Sequence, residues 1–113
     1  MKRYRKVYND GYLLYGMKTT KRDGKGKKIM GDFIEKGRLA FAEVNRRESD
    51  YQLAEVATAR LDVKIRTHYP TFLQQQKITA YKVYIHSKEY DVIRVDPDLL
   101  NQELYWYLQE VGV

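Results

Sequence analysis

Leu61, Val63, Ile65, Thr67 and Tyr69 alternate without a break with Asp62, Lys64, Arg66 and His68. A period of two puts the first set on one face of a β-strand and the second on the other, a spacing no helix can use. Pro70 ends the run. Other segments repeat the theme at short intervals. GYLLYGMKTT (11–20) is rich in β-formers, and the turn signal KRDGKG (21–26) follows it, with Asp23-Gly24 supporting φ > 0. The return arm of that hairpin, 27–34, is weakly patterned. YKVYIH (81–86), a Ser87-Lys88 turn and EYDVIRV (89–95) make a second hairpin; Asp96-Pro97-Asp98 turns the chain into a last strand, ELYWYLQEV (103–111). RLAFAEV (38–44) is apolar on both faces and is expected to run through the middle of the structure.

One segment breaks the β pattern. After the polar stretch Asn45-Arg46-Arg47-Glu48, Ser49 stands three residues before Gln52, a capping box that opens a short helix. Its expected apolar stripe is narrow, Leu53, Val56 and Ala57, so the helix is marginal alone and needs a surface to lean on. The connection 71–77 is polar apart from Phe72 and Leu73. About six strands and one inserted helix or loop (45–59), with turn signals every 8 to 12 residues, indicate a mainly β chain: a small antiparallel barrel or sandwich. At 113 residues this is one domain, 1–113, with residues 1–10 a basic N-terminal arm.

Charge is unevenly spread. Residues 1–38 carry twelve basic and four acidic side chains, a net +8, whereas residues 39–113 are net −2. The cluster Lys21, Arg22, Lys25, Lys27 and Lys28 on the hairpin tip is either a contact for a polyanion or for acidic protein, or an ordinary solvated tip. The absence of cysteine excludes disulfides, thiolate zinc sites, iron–sulfur clusters and cysteine nucleophiles. His68 and His86, the only histidines, sit on strands without acidic partners at ligand spacing and are expected at the surface, so no metal or cofactor is expected. Gly24-Lys25-Gly26-Lys27-Lys28 lacks the spacing and the Ser/Thr of a phosphate loop. Glu43, Glu48, Asp50 and Glu55 flank a helix start, where acids serve the helix dipole. No nucleophile, base and orienter come together, and the chain reads as a non-enzyme. No apolar run is long enough to span a bilayer, and Met1–Lys6 is not followed by an apolar signal segment, giving the expectation of a cytoplasmic protein without membrane partners.

Six of the eleven tyrosines, Tyr69, Tyr81, Tyr84, Tyr90, Tyr105 and Tyr107, crowd the C-terminal half with Trp106. In Tyr105-Trp106-Tyr107 alternate side chains face opposite ways, so Trp106 joins Leu104 and Leu108 in the core and Tyr105 and Tyr107 are expected outside, on a face covered by a partner.

The order of these elements carries a resemblance. The Asp23-Gly24-x-Gly26 hairpin, the strand 37–44 (GRLAFAEV), the acidic helix 48–55 (ESDYQLAE), the strand 63–66 (VKIR) and the hairpin 82–93 (KVYIHSKEYDVI) resemble the head–tail joining family, the head-closure or stopper proteins of tailed bacteriophages and prophages. The chain departs from that pattern at Phe41, where many members carry Trp, and in the arm 1–6, which has no counterpart there. The resemblance implies a small SH3-like or sandwich-like barrel that forms a homo-oligomeric ring below the portal and adaptor rings. Such a ring closes the exit channel of double-stranded DNA and offers a docking surface to a tail terminator or tail completion protein. It further implies that the insert lines or gates that channel, through Arg46, Arg47, Glu48, Ser49, Asp50, Gln52 and Glu55, and that the protein passes from the host cytoplasm into the virion. The alternative from another class is a sequence-tolerant nucleic-acid-binding barrel that uses the basic hairpin on the backbone and tyrosines for stacking.

Overall fold

A computed structural model describes residues 7–22, 28–56 and 59–112, and the side chains of all of these except 19–22, 28–31 and 56. Lys25 and Lys27 of the basic tip, residues 1–6 of the arm and Ala57 of the expected helix stripe lie outside the described residues. Six strands, β1 Gly11–Arg22, β2 Lys28–Glu43, β3 Val63–His68, β4 Lys82–Ile85, β5 Lys88–Asp98 and β6 Glu103–Glu110, close into an antiparallel barrel in the order β1-β2-β3-β6-β5-β4. The helix α1, Glu48–Val56, is inserted between β2 and β3, and a short helix α2, Thr71–Gln74, with a single 3-10 turn, Ile78–Ala80, leads into β4. The mainly β barrel with one inserted helix is as the alternation requires, and full closure selects barrel over sandwich.

Closure works because the inward positions are large enough to fill the interior. Leu13, Tyr15, Ile65, Val83, Leu104, Trp106 and Leu108 fill the interior, and Leu73 and Ile78 plug it from the α2 side. The buried polar pair at the centre is satisfied: Trp106 Nε1 donates to Thr67 Oγ1 at 2.9 Å, and that hydroxyl donates on to the His68 carbonyl at 2.8 Å. Tyr15 packs between Tyr81 and Trp106, with ring centroids at 5.6 and 6.2 Å. Its ring lies across Gly37, its cross-strand partner, where an added Cβ would stand 2.3 Å from the Tyr15 hydroxyl.

Three boundaries differ from those read in the sequence. The return arm 27–34 and the strand 38–44 form one long strand over the described residues 28–43, β2, whose pairing with β1 continues past two irregularities that each leave an extra residue on β2, Lys36 at the first. The second hairpin turns at His86-Ser87, both at positive φ (49° and 66°), one residue earlier than expected. So His86 lies in a turn, while His68 closes β3 at the surface. Asp96-Pro97-Asp98 still pairs with β6, and the reversal falls at 99–102.

β1 pairs with β4 only as far as Gly16, and β2 pairs with β3 only over Phe41–Glu43. Beyond those points the arms of the first hairpin pair with each other, out to Arg22↔Lys28, so a two-stranded arm leaves the barrel. At roughly 3.3 Å per residue the stretch 17–22 alone reaches about 20 Å. Lys18, at its root, donates to Glu89 on β5 at 2.7 Å and ties the arm to the barrel wall.

Candidate functional site

The insert carries the residues expected to line a channel, and its placement begins with Asp50. The Asp50 carboxylate accepts the backbone N–H of Arg47 at 2.8 Å, so the reciprocal half of a helix-start box is made by Asp50 and Arg47, not by Ser49 and Gln52. The same oxygen lies 3.0 Å from Lys64 Nζ on β3. Both side chains are almost fully withdrawn from solvent, at 1% and 4% exposure. Burial by itself would push the Asp50 carboxyl up; the Arg47 N–H and the Lys64 ammonium outweigh it and hold the group below the usual carboxylate range. The Lys64 ammonium also sits 5.0 and 5.5 Å from the ring centres of Tyr107 and Tyr105.

One helical turn on, Ala54 packs on Leu61 and Tyr107, with Ile93 and Tyr105 beside them. Asp50 and Ala54 of α1 therefore meet the barrel, and of the expected stripe Leu53 is exposed, while the Val56 side chain and Ala57 lie outside the described residues. The helix is thus held to the barrel at two points, the Asp50–Lys64 ion pair to β3 and Ala54 against Leu61 and Tyr107 of β6. This also corrects two expected surface positions. Asp50 faces the barrel and is no part of an open lining. Tyr107, expected on an outward docking face, is 4% exposed because α1 covers it, and its hydroxyl donates to Asp96 at 2.8 Å. Burial first and that carboxylate second push its phenol up. Tyr105 remains half-buried at the margin of the same patch.

The other residues expected to line a channel share one exposed surface. Arg46, Arg47, Glu48, Ser49, Gln52 and Glu55 are all exposed on the lead-in and outer side of α1. Arg46 reaches the Asp62 carbonyl and lies over the Tyr51 ring, which fixes the lead-in to the barrel. Between the lead-in and the β5–β6 edge a cleft of about 720 Å³ is bounded by Val44, Arg47, Lys64, Pro97 and Tyr105. Of the basic hairpin, Lys21, Arg22 and Lys28 are placed on paired backbone in the projecting arm, away from α1. The structure thus separates the two candidate sites: mixed charge on the helix, positive charge on the arm.

The chain before β1 is fastened down over its described part, 7–10. Tyr8 donates to Glu103 Oε2 at 2.6 Å, Arg66 bridges that same carboxylate at 2.8 Å, and Asp10 accepts the Glu43 N–H at 2.7 Å. Sequence reading missed Lys64 and Glu103 because each looks like an outer-face charge, and only the long-range neighbours Asp50, Tyr8 and Arg66 bury them. Among the described residues no cluster of side chains could hold a metal ion, and no helix is long and apolar enough to cross a membrane.

No family model matches the chain, and no curated protein matches it. The fold does have solved counterparts. One, from a structure described as the virion of a native gene transfer agent particle, superposes with a TM-score of 0.55 at 15% sequence identity, over 96% of this chain and 100% of that chain. At that identity the likeness is one of fold, and it runs from end to end of both chains.

Proposed function

We propose that this chain is a structural, non-enzymatic subunit of a tailed-phage-like particle, a member of a connector ring between head and tail. The observation that carries the reading is the likeness of fold, over 96% of this chain and 100% of that one, to a chain of a gene transfer agent virion. The element order that resembles head-closure proteins points the same way. In this reading copies of the chain form a ring against a portal or adaptor ring, a tail terminator or completion protein docks on its other side, and double-stranded DNA passes through. The chain is made in the host cytoplasm and ends in the virion.

The insert supplies the stop. With α1 fastened to the outside of the barrel through Asp50–Lys64 and Ala54–Tyr107, turning that side to the ring axis presents Arg46, Arg47, Glu48, Ser49, Gln52 and Glu55 to the channel. Their mixed charge passes DNA without gripping it, since tight phosphate binding needs clustered cations. Asp50 and Lys64 act behind that surface as its fastening. The test is composition: particles purified on a gradient after nuclease treatment contain the chain in a fixed ratio to the portal subunit. Its absence from intact particles contradicts the proposal.

The basic arm favours a second reading, a free nucleic-acid-binding barrel, because twelve of the 21 Lys and Arg lie in the first 38 residues. That reading predicts that the isolated chain binds duplex DNA with an affinity that falls steeply as salt rises. The connector reading predicts weak binding or none.

A further inference from the structure

Two surface features have no role in the barrel's own packing. The first is a groove of about 660 Å³ on the outside of β1, β2 and β4. It exists because Leu13 and Tyr15 point inward, which turns Tyr12 and Leu14 outward. Phe33 from β2 meets Tyr84 from β4 edge-on at 4.6 Å to form the far wall. Arg38 and His86 stand at the rim, with the Arg38 guanidinium 4.9 Å over the Tyr12 ring. The volume and the aromatic lining suit an apolar side chain or two, with a cation to meet an acid beside them.

The second feature is the β5–β6 turn, where Leu99 and Leu100 are 67% and 94% exposed. This turn is braced. The Asp98 carboxylate accepts the Asn101 backbone N–H at 3.2 Å and its Nδ2 at 2.9 Å; the Gln102 N–H returns to the Leu99 carbonyl, and the Tyr69 N–H to that of Gln102. Single exposed leucines are common, but two adjacent ones held out on a rigid tip form a knob. Asp98 flanks the knob with negative charge.

We propose that the Leu99–Leu100 knob of one copy seats in the Tyr12–Phe33–Tyr84 groove of the next, with Asp98 facing Arg38. The proposal rests on the reading of the chain as a ring subunit and names the contact that builds the ring. Charge and shape are complementary: acidic-flanked leucines on one side, a cation-rimmed aromatic groove on the other. Topology sets the type of contact. In the closed order β6 lies directly across from β1, so knob and groove are on different sides of the barrel. Such a contact is head-to-tail and propagates from copy to copy, closing into a ring where the rotation allows. Two leucines bury far less surface than a free-standing dimer needs, so the contact holds where each copy makes it twice, in a closed ring.

The chain has no cysteine, which gives a clean background for trapping the contact. Leu100→Cys and Ser87→Cys, singly and together, are treated with a short bis-maleimide at high protein concentration, with Trp106 emission confirming that each variant is folded. The contact predicts a ladder of dimers, trimers and larger species for the double variant, nothing beyond dimers for either single, and a mixed dimer when the two singles are combined. Adding Leu99→Asp to the double variant, which drives a charge into the groove, cuts the ladder roughly tenfold or more. A double variant no more cross-linked than its parents overturns the proposal. So does a ladder indifferent to Leu99→Asp. In purified particles, a thiol introduced by Ser87→Cys that links to a different protein, and not to the thiol introduced by Leu100→Cys, overturns it as well. None of these results alters whether the chain is present in particles, so the connector reading stands or falls separately.

Discussion

The Asp50 carboxylate on the inserted helix lies 3.0 Å from the Lys64 ammonium on β3, both shut off from solvent. That one pair decides which way the insert faces. Removing the acid strands a buried cation under the helix, a change that costs about 3 kcal/mol or more. Asp50→Ala is therefore expected to destabilise the protein by about that much in urea unfolding and to open α1 to hydrogen exchange ahead of the barrel. Replacing both partners, Asp50→Leu with Lys64→Met, restores most of the loss, because an apolar pair of similar bulk leaves no charge uncompensated.

Three carboxylates give the stability a defined acid limb. Asp50, Asp62 and Glu89 are all held below their ordinary values: Asp62 by Arg60 and the Glu110 N–H, Glu89 by Lys18 and Tyr84 against its own burial. A group depressed on folding stabilises the native state above its unfolded pKa, about 4, and loses that contribution as pH falls through the folded value. Urea midpoints are expected to be flat from pH 7 to 5 and to fall below pH 4. Lys18→Met makes the fall shallower.

Tyr84 shares the alkaline limb with Tyr15, Tyr90 and Tyr107, whose phenols burial also pushes up. The hydrogen bond from Tyr84 to Glu89, with burial second, pushes the Tyr84 phenol up to about 12. A raised pKa stabilises below the unfolded value near 10 and is lost as pH climbs through the folded one. Stability should therefore decline above about pH 10, and Tyr84→Phe should make that decline shallower by its own share, as followed by denaturant midpoints and by phenolate absorbance.

Much of this fold was legible in the alternation at 61–69 and in the turn residues, because a β period survives whatever the strand packs against. The insert was legible as a helix and not as an oriented one. Its barrel-facing positions, Asp50 and Ala54, are chosen by Lys64, Leu61 and Tyr107, which are distant in sequence, and local apolar spacing pointed instead to Leu53. The same cover hid Tyr107, whose place in Tyr-Trp-Tyr signals a face but not what lies on it. The turn at 99–102 was misplaced because Asp-Pro-Asp is the stronger local turn signal, yet Pro97 is tolerated on a strand where it faces solvent.

Gly37 is required by its neighbour across the strand. An alanine methyl there would meet Tyr15 Oη, Cζ and Cε1 at 2.3, 2.5 and 2.8 Å, and the ring is wedged against Tyr81 and Trp106. Gly37→Ala is expected to cost about 1–3 kcal/mol by overpacking. Tyr15→Phe does not relieve it, since the ring carbons remain in the way. A double-mutant cycle with Tyr15→Leu shows strong coupling, and the single, buried Trp106 reports each unfolding curve by fluorescence.

The proposed role, joining head to tail, is tested most directly by electron microscopy of particles made without the chain. Deleting its gene from the producing phage or prophage is predicted to leave unjoined tails beside heads that have lost their DNA, with joining restored by the chain supplied in trans. Complete, DNA-filled, tailed particles at the undeleted yield would contradict the account.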